Sequence, residues 1–292
     1  MKAASLLRRT RYWSLFAIIL CSMSGAHASL FGHVVERAAG HVAKQVLPQP
    51  EAAVPVDLPR AGSFEPCRDS FPRGRPVQLD HLSQAWQVTP LCSNTFAVAF
   101  SGVTKTPLLV VERLNKQRLA DALDEARTNE FFSDPRLPPG SRSDLADYRG
   151  SGFDRGHMAP AANQPDQVAM VQSFVLSNTV PQDPHHNQKV WSQVESSVRK
   201  FARRAHGNVF VFTGPIFARS SSGYADQRTI GRNRVWVPAR LFKLVYDEAS
   251  SRAWAYIQDN SPDAVMGPPV DYQTFVGATG WDVLAGLPVS NR

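Results

Sequence analysis

The apolar positions of this chain change their period several times. Near the N-terminus Val34, Ala38, Val42 and Val46 recur every fourth residue, which predicts a short amphipathic helix. Pro48, Pro50, Pro55 and Pro59 follow too closely for a helix to continue, so residues 47–60 read as an extended linker. Two apolar runs, 96–100 and 108–111, flank the turn-like Ser101-Gly102-Val103-Thr104-Lys105 and predict a β-hairpin. Residues 116–126 predict a short helix, and 134–143, with Pro135, Pro138, Pro139 and Gly140, an irregular loop. Helical patterning returns over 164–173. It returns again over a longer stretch from about 186 to 204, where Val190, Trp191, Val194, Val198 and Phe201 recur at three- and four-residue spacing. Residues 208–213 predict a strand ending at Gly214-Pro215, and 235–237, 241–246 and 253–257 predict further strands. Without repeated strand–helix–strand units, the pattern indicates an α+β fold with an antiparallel sheet and packed helices.

The composition allows this. The chain has 292 residues, 43% of them apolar, enough for a full core. After the N-terminus no apolar run reaches the ~18 residues of a membrane span. The first 28 residues read as a cleavable leader: Lys2, Arg8, Arg9 and Arg11, an apolar stretch from Tyr12 to Leu20, then Ala26-His27-Ala28. The expected organisation is a signal peptide at 1–28, an N-terminal extension and proline-rich linker at 29–63, and one functional domain at 64–292. Periplasmic or secreted localisation follows from that reading, with no stable membrane anchor after cleavage. The mitochondrial intermembrane space is the alternative, because no acidic residue precedes Glu36. Cleavage removes four basic residues and lowers the net charge from +7 to +3, a mildly basic surface that permits nucleic-acid binding without demanding it. Of the three cysteines, Cys67 and Cys92 remain; in an oxidising compartment they are expected to form one disulfide, two buried thiols being the alternative.

The candidate chemistry centres on Gly152-Phe153-Asp154-Arg155-Gly156-His157. An imidazole near its ordinary pKa of about 6.5 accepts a proton from water. The Arg155 guanidinium has the donor fork for a phosphate oxygen. Downstream, Asn178 and Gln182 bracket Thr179-Val180-Pro181, where they can position a neighbouring imidazole or satisfy loop backbone. Asn187, Trp191 and Glu195 fall four apart on the long helix, so Trp191 can brace the core while Asn187 and Glu195 occupy one side. A carboxamide oxygen is a hard, neutral ligand for magnesium or manganese. The bland readings are a hydrogen-bonded structural histidine, an Arg155–Asp154 surface pair, and helix capping by Asn187. Asp154 is open between holding backbone or arginine and binding metal. His185-His186 matches no standard zinc spacing and reads as a loop or surface pair. Neither a Gly-x-Ser-x-Gly elbow nor a His-Glu-x-x-His motif is present.

The unbroken run from Asp147 through Asp154-Arg155-Gly156-His157 to Asn163 resembles the signature of the DNA/RNA non-specific endonucleases, closest to their endonuclease G branch. Leu176-Ser177-Asn178-Thr179-Val180-Pro181-Gln182, Asn187 to Glu195, Thr213-Gly214-Pro215 and the strand around Phe242-Lys243 extend the likeness from about Cys92 to Pro262. The resemblance implies a ββα-metal core and cleavage of DNA and RNA, single- and double-stranded, with little sugar discrimination. It implies His157 as general base, Asn187 as direct metal ligand, Arg155 on phosphate, Asn178 supporting the histidine and Glu195 ordering the metal's surroundings. The implied ion is Mg2+, with Mn2+ able to substitute. Arg113, Arg149 and Arg228 are candidate auxiliary arginines, and a homodimer is a further expectation. Two readings compete: a nucleic-acid-binding protein without turnover, and a phosphodiesterase for small esters.

Overall fold

The computed structural model describes residues 57–79, 84–123, 125–219, 221 and 223–290. By its internal contacts the chain falls into two units, Met1–Val54 and Pro55–Arg292, and the architecture described is that of the second. The expected leader, the 34–46 helix and most of the linker lie outside the described residues.

The scaffold is a seven-stranded antiparallel sheet in the order β1 (Val88–Cys92), β2 (Phe96–Ser101), β3 (Thr106–Leu114), β6 (Val209–Ile216), β9 (Arg240–Asp247), β10 (Arg252–Asp259) and β11 (Val270–Asp271). Its central strands read as continuous apolar runs because both faces are covered. Side chains alternate along each strand. Ala97, Ala99, Leu109, Val111, Phe210, Phe212 and Phe242 meet Phe64, Phe71 and the C-terminal helix residues Tyr272 and Phe275. Phe96, Val98, Phe100 and Val110 meet Met158, Val180, Trp191 and Val194 on the other face. The helix at Ser192–Ala202 also packs Val198 and Ala202 there, beside Val211 and Val245. A disulfide joins Cys67 to Cys92 and ties the segment ahead of β1 to the sheet edge. Here the expectation drawn from the cysteine pair holds.

Two strands missed by periodicity form a separate ribbon on the second face. β4 (Asp154–His157) pairs antiparallel with β5 (Thr179–Gln182), matching Asp154 to Gln182 and His157 to Thr179. The helical stretch from His186 follows at once, so β4, β5 and that helix make the expected ββα unit. A further short ribbon joins β7 (Thr229–Ile230) and β8 (Val235–Trp236).

Several boundaries differ from the sequence reading, each for a local reason. The helix expected at 116–126 stops at Asp121: Asn115 caps its start, but Leu119 is its one buried apolar residue, and Leu123 is 67% exposed with nothing to pack against. The helix expected from residue 164 starts at Gln167. Gln164 precedes Pro165, which disfavours helical backbone there, and Asp166 supplies the N-cap to Ala169. β6 runs through Gly214-Pro215 instead of ending there. Its pairing with β3 ends at Thr213, so Pro215 lies where no ladder bond to β3 is needed. The long helix opens with a π-turn over His186–Trp191 before regular α geometry begins at Ser192.

Candidate active site

The ribbon and the π-turn bring the motif residues together. Gly156 sits on β4 where any Cβ would collide with the Gln182 side chain across the ribbon, so only glycine lets the two strands close there. Gly150 and Gly152, both at positive φ, shape the turn that delivers the chain into β4.

Asp154 opens β4 and faces the π-turn. Its Oδ2 accepts from Asn187 Nδ2 at 2.8 Å and from Gln188 Nε2 at 2.9 Å. Consecutive residues of an α-helix point ~100° apart. The wider π-turn lets two neighbours converge on one carboxylate oxygen. With Asn187 Nδ2 committed to Asp154, its Oδ1 is turned to other use; among the described residues no hydrogen bond to it is present. Asp154 thus holds the Asn187 and Gln188 amides, and among the described residues it makes no ion pair with Arg155.

Arg155 and His157, two apart on the strand, both meet one ring. The Arg155 guanidinium carbon lies 4.4 Å from the Phe131 centroid, and the His157 ring lies 5.1 Å from it. Phe174 meets the imidazole edge-on at 4.9 Å and also touches Phe131 at 4.9 Å, so the three rings form one cluster, and Arg127 lies 5.2 Å from the Phe174 centroid. Burial, then the charges of Arg127 and Arg155, hold the His157 pKa down to about 3. The ring is therefore neutral near pH 7, and its buried Nε2 has no hydrogen-bond partner among the described residues.

Among the described residues Asn178 makes no hydrogen bond to the imidazole. Fully buried, its Oδ1 accepts from Ala159 N, and its Nδ2 donates to the carbonyls of Ala159 and Ser173, each at 2.9 Å. Its own carbonyl accepts from Met158 N at 2.9 Å. The side chain thus clamps the backbone immediately after His157, and any effect on the base passes through main chain.

Glu195 lies one turn below the π-turn, 3.9 Å from Arg199. Behind it is a buried charge cluster. Lys243, on β9, donates to Thr213 Oγ1 at 2.7 Å and to the Met158 carbonyl at 3.2 Å, with its ammonium 5.2 Å from the Trp191 ring. Glu112, on β3, accepts from Asn163 Nδ2 at 3.0 Å through both oxygens. Burial pushes both carboxyls up and the Lys243 ammonium down, and Lys243 opposes the shift of each carboxyl.

The sequence reading of the histidine pair needs correction. His185 is exposed, but His186 is fully buried, its Nδ1 3.0 Å from Gln182 Nε2 and its ring 5.4 Å from Trp191. Burial holds its pKa down to about 4. Of the auxiliary arginines, Arg228 stacks over Phe153 at 4.7 Å, one residue before β4, and Arg149 lines a small cleft with Phe153 and Arg155. Arg113 lies half-buried on β3, where its backbone carbonyl accepts from Arg118. Arg127, Phe131 and Phe174 were missed: Arg127 and Phe131 stand in a polar, aperiodic stretch, and Phe174 at the end of an apolar helix reads as an ordinary core residue.

The donor set suits a hard divalent cation. Asn187 Oδ1, with the Asp154 and Glu195 carboxylates on neighbouring elements, provides oxygens only, the chemistry that magnesium and manganese prefer. No group of three His, Cys, Asp or Glu with metal-binding geometry occurs among the described residues, so a Mg2+ site here would rest on few protein ligands and on water.

Comparison with known proteins shows which family the fold belongs to. Human "Endonuclease G, mitochondrial" is 38% identical over 176 residues, 58% of this chain and 59% of that protein. Human "Nuclease EXOG, mitochondrial" is 33% identical over 165 residues, 55% of this chain and 44% of that protein. This chain spans about half of the length of these curated relatives. A solved structure of an EndoG/EndoGI complex, described as revealing the mechanism of EndoG inhibition, aligns at 27% identity and a TM-score of 0.55, covering 65% of this chain and 83% of that one. The expectation of a periplasmic or secreted protein is overturned by these relatives, whose names place them in mitochondria. Residues 79–289, which hold both the sheet and the ββα unit, match the model of the DNA/RNA non-specific endonucleases, and the chain belongs to that family.

Proposed function

We propose that this protein is a divalent-metal-dependent endonuclease that hydrolyses phosphodiester bonds in DNA and RNA without discriminating the sugar. The observation that carries the reading is the Asn187–Asp154 hydrogen bond, which locks a hard oxygen ligand beside the strand that bears Arg155 and His157. Asn187 would hold Mg2+, or Mn2+ in its place, with Asp154 fixing the amide and Glu195 ordering the surroundings. When bound, the ion supplies Lewis-acid stabilisation of charge on the scissile phosphate and the departing oxygen. His157, held neutral near pH 7 and half-buried, takes the proton from the attacking water. Arg155, held over Phe131, places fixed positive charge where the phosphate gains negative charge. Asn178 keeps the backbone behind the base in register. The mitochondrion is the compartment that the relatives' names support, and the EndoG/EndoGI likeness supports a protein inhibitor as a partner class.

The test is digestion of plasmid DNA and structured RNA by the purified chain across a magnesium titration and with EDTA. Magnesium-dependent loss of both polymers is expected. His157→Ala should lose at least a hundredfold in turnover while keeping a folded spectrum, on the order of what a general base contributes. Asn187→Ala should move the magnesium midpoint upward. An unchanged midpoint removes Asn187 as ligand. Gel-shift binding without cleavage favours a binding protein, and faster hydrolysis of a small chromogenic diester than of polymer favours a phosphodiesterase.

A further inference from the structure

A second cavity lies away from the ββα unit, at the end of the sheet where β6 leaves and β9 begins. It has a volume of about 700 Å³ and is walled by Trp86, Phe217, Tyr224 and Trp281, with Arg219 and Arg240 at its lining. Two arginines and no carboxylate line it among the described residues. The rings meet edge-on rather than face to face: Trp86 and Tyr224 are 5.1 Å apart at 74°, and Phe217 and Trp236 are 5.3 Å apart at 90°. Tyr224 is 37% exposed; its ring is tilted at 38° to Trp236, 6.2 Å away, and the Arg219 guanidinium lies 5.9 Å from its centroid, so ring and cation sit together at the rim. An aromatic box of this kind receives a flat π-system. The adjoining arginines select against a quaternary ammonium, the other common guest of such boxes, and for a group that carries negative charge beside the ring. A nucleotide has both parts.

The cavity is also joined to the candidate active site by one piece of chain. The segment leaving β6 carries Phe217, Arg219 and Tyr224 at the cavity. It then carries Arg228, which stacks on Phe153 directly before Asp154, and returns through Trp236 to the aromatic group.

Resting on the nuclease reading of the ββα site, we infer that this aromatic and arginine-lined cavity is an accessory site for an unpaired stretch of the polynucleotide substrate, stacking a base outside the scissile step. Bases of an intact duplex are already stacked and cannot enter, so the site distinguishes single-stranded or frayed substrate from duplex.

The experiment is fluorescence-anisotropy binding of the full chain, in EDTA, to a labelled oligothymidylate and to a blunt hairpin duplex, for wild type, Tyr224→Ala and Arg219→Glu. Both variants should weaken oligothymidylate binding about five- to tenfold, the scale of one lost base stack or phosphate contact, and leave the duplex within twofold. Arg219 is exposed, so its variant tests the site without touching the core. Equal weakening for both ligands, or none for either, overturns the inference. Displacement of oligothymidylate by free thymidine monophosphate at matching concentration would also overturn it, in favour of a mononucleotide site. Cleavage assays on the same preparations separate the two readings: wild type that cuts both polymers while variants bind normally sinks only this inference. Selective binding loss in a protein that never cuts sinks only the nuclease reading.

Discussion

Among single side chains, the environment of His157 has the most direct consequence for activity in solution. Two phenylalanine rings and two guanidinium groups surround the imidazole, and burial with those charges holds its pKa down to about 3. A base kept neutral this way is available well into the acid range. The acid limb of kcat/KM against pH, which reports the free enzyme, should therefore not bend at the ordinary histidine value of ~6.5. A midpoint at that value would show an open, solvated imidazole. The stability consequence has the opposite appearance. From about 3 to ~6.5 the unfolded chain binds a proton that the native ring refuses, so stability falls as pH drops through that window. His157, Arg155 and Asn187 were legible as candidates because their chemistry is written in residue type. The rings that set the pKa were not, because a phenylalanine in an aperiodic stretch has no visible partner until the chain folds.

At the scale of elements, the buried cluster links the sheet to the ββα unit. Lys243 on β9 reaches the Met158 carbonyl, one residue past the base, and its charge acts on Glu112 from β3 and Glu195 from the helix. Removing one partner of a buried charge group leaves the others uncompensated. Lys243→Met should therefore cost about 3–5 kcal/mol of stability, read by urea unfolding. Adding Glu112→Gln should recover part of that loss, because the second substitution neutralises an orphaned carboxyl. Strict additivity of the two costs would show that the groups are not coupled. The family likeness drew attention to Phe242-Lys243, but periodicity alone placed residues 241–246 as an ordinary buried strand. β4 and β5 escaped the pattern for a related reason. Each is four residues long, and Gly156 and Pro181 interrupt any alternation.

For the molecule as a whole, the sheet separates two faces with different duties. The disulfide, the N-terminal segment and the C-terminal helix cover one face; the ββα unit covers the other. Replacing Cys67 and Cys92 by serine should lower unfolding free energy by about 3–4 kcal/mol on the chain-entropy account of a loop this long. Turnover at moderate temperature should stay near wild type, because the bond lies on the face of the sheet opposite the ββα unit. A large fall in turnover with little change in stability would mean that the cross-link shapes the site instead.

The sequence by itself determined the α+β class, the hairpin of β2 and β3, the central strands, the helical region that carries Asn187 and Glu195, and the type of chemistry available. Those features depend on local apolar periodicity, turn residues and functional-group identity, all of which are carried within short stretches. Only the tertiary structure decided that the long helix begins as a π-turn, that Asp154 fixes Asn187, that Asn178 acts on backbone, and that His186 is buried. The aromatic cavity belongs to the same group, since Trp86, the 217–224 segment and Trp281 lie far apart in the chain. Each of these depends on contacts between residues far apart in the chain, and their geometry is set by packing against a sheet whose strand order no local pattern records.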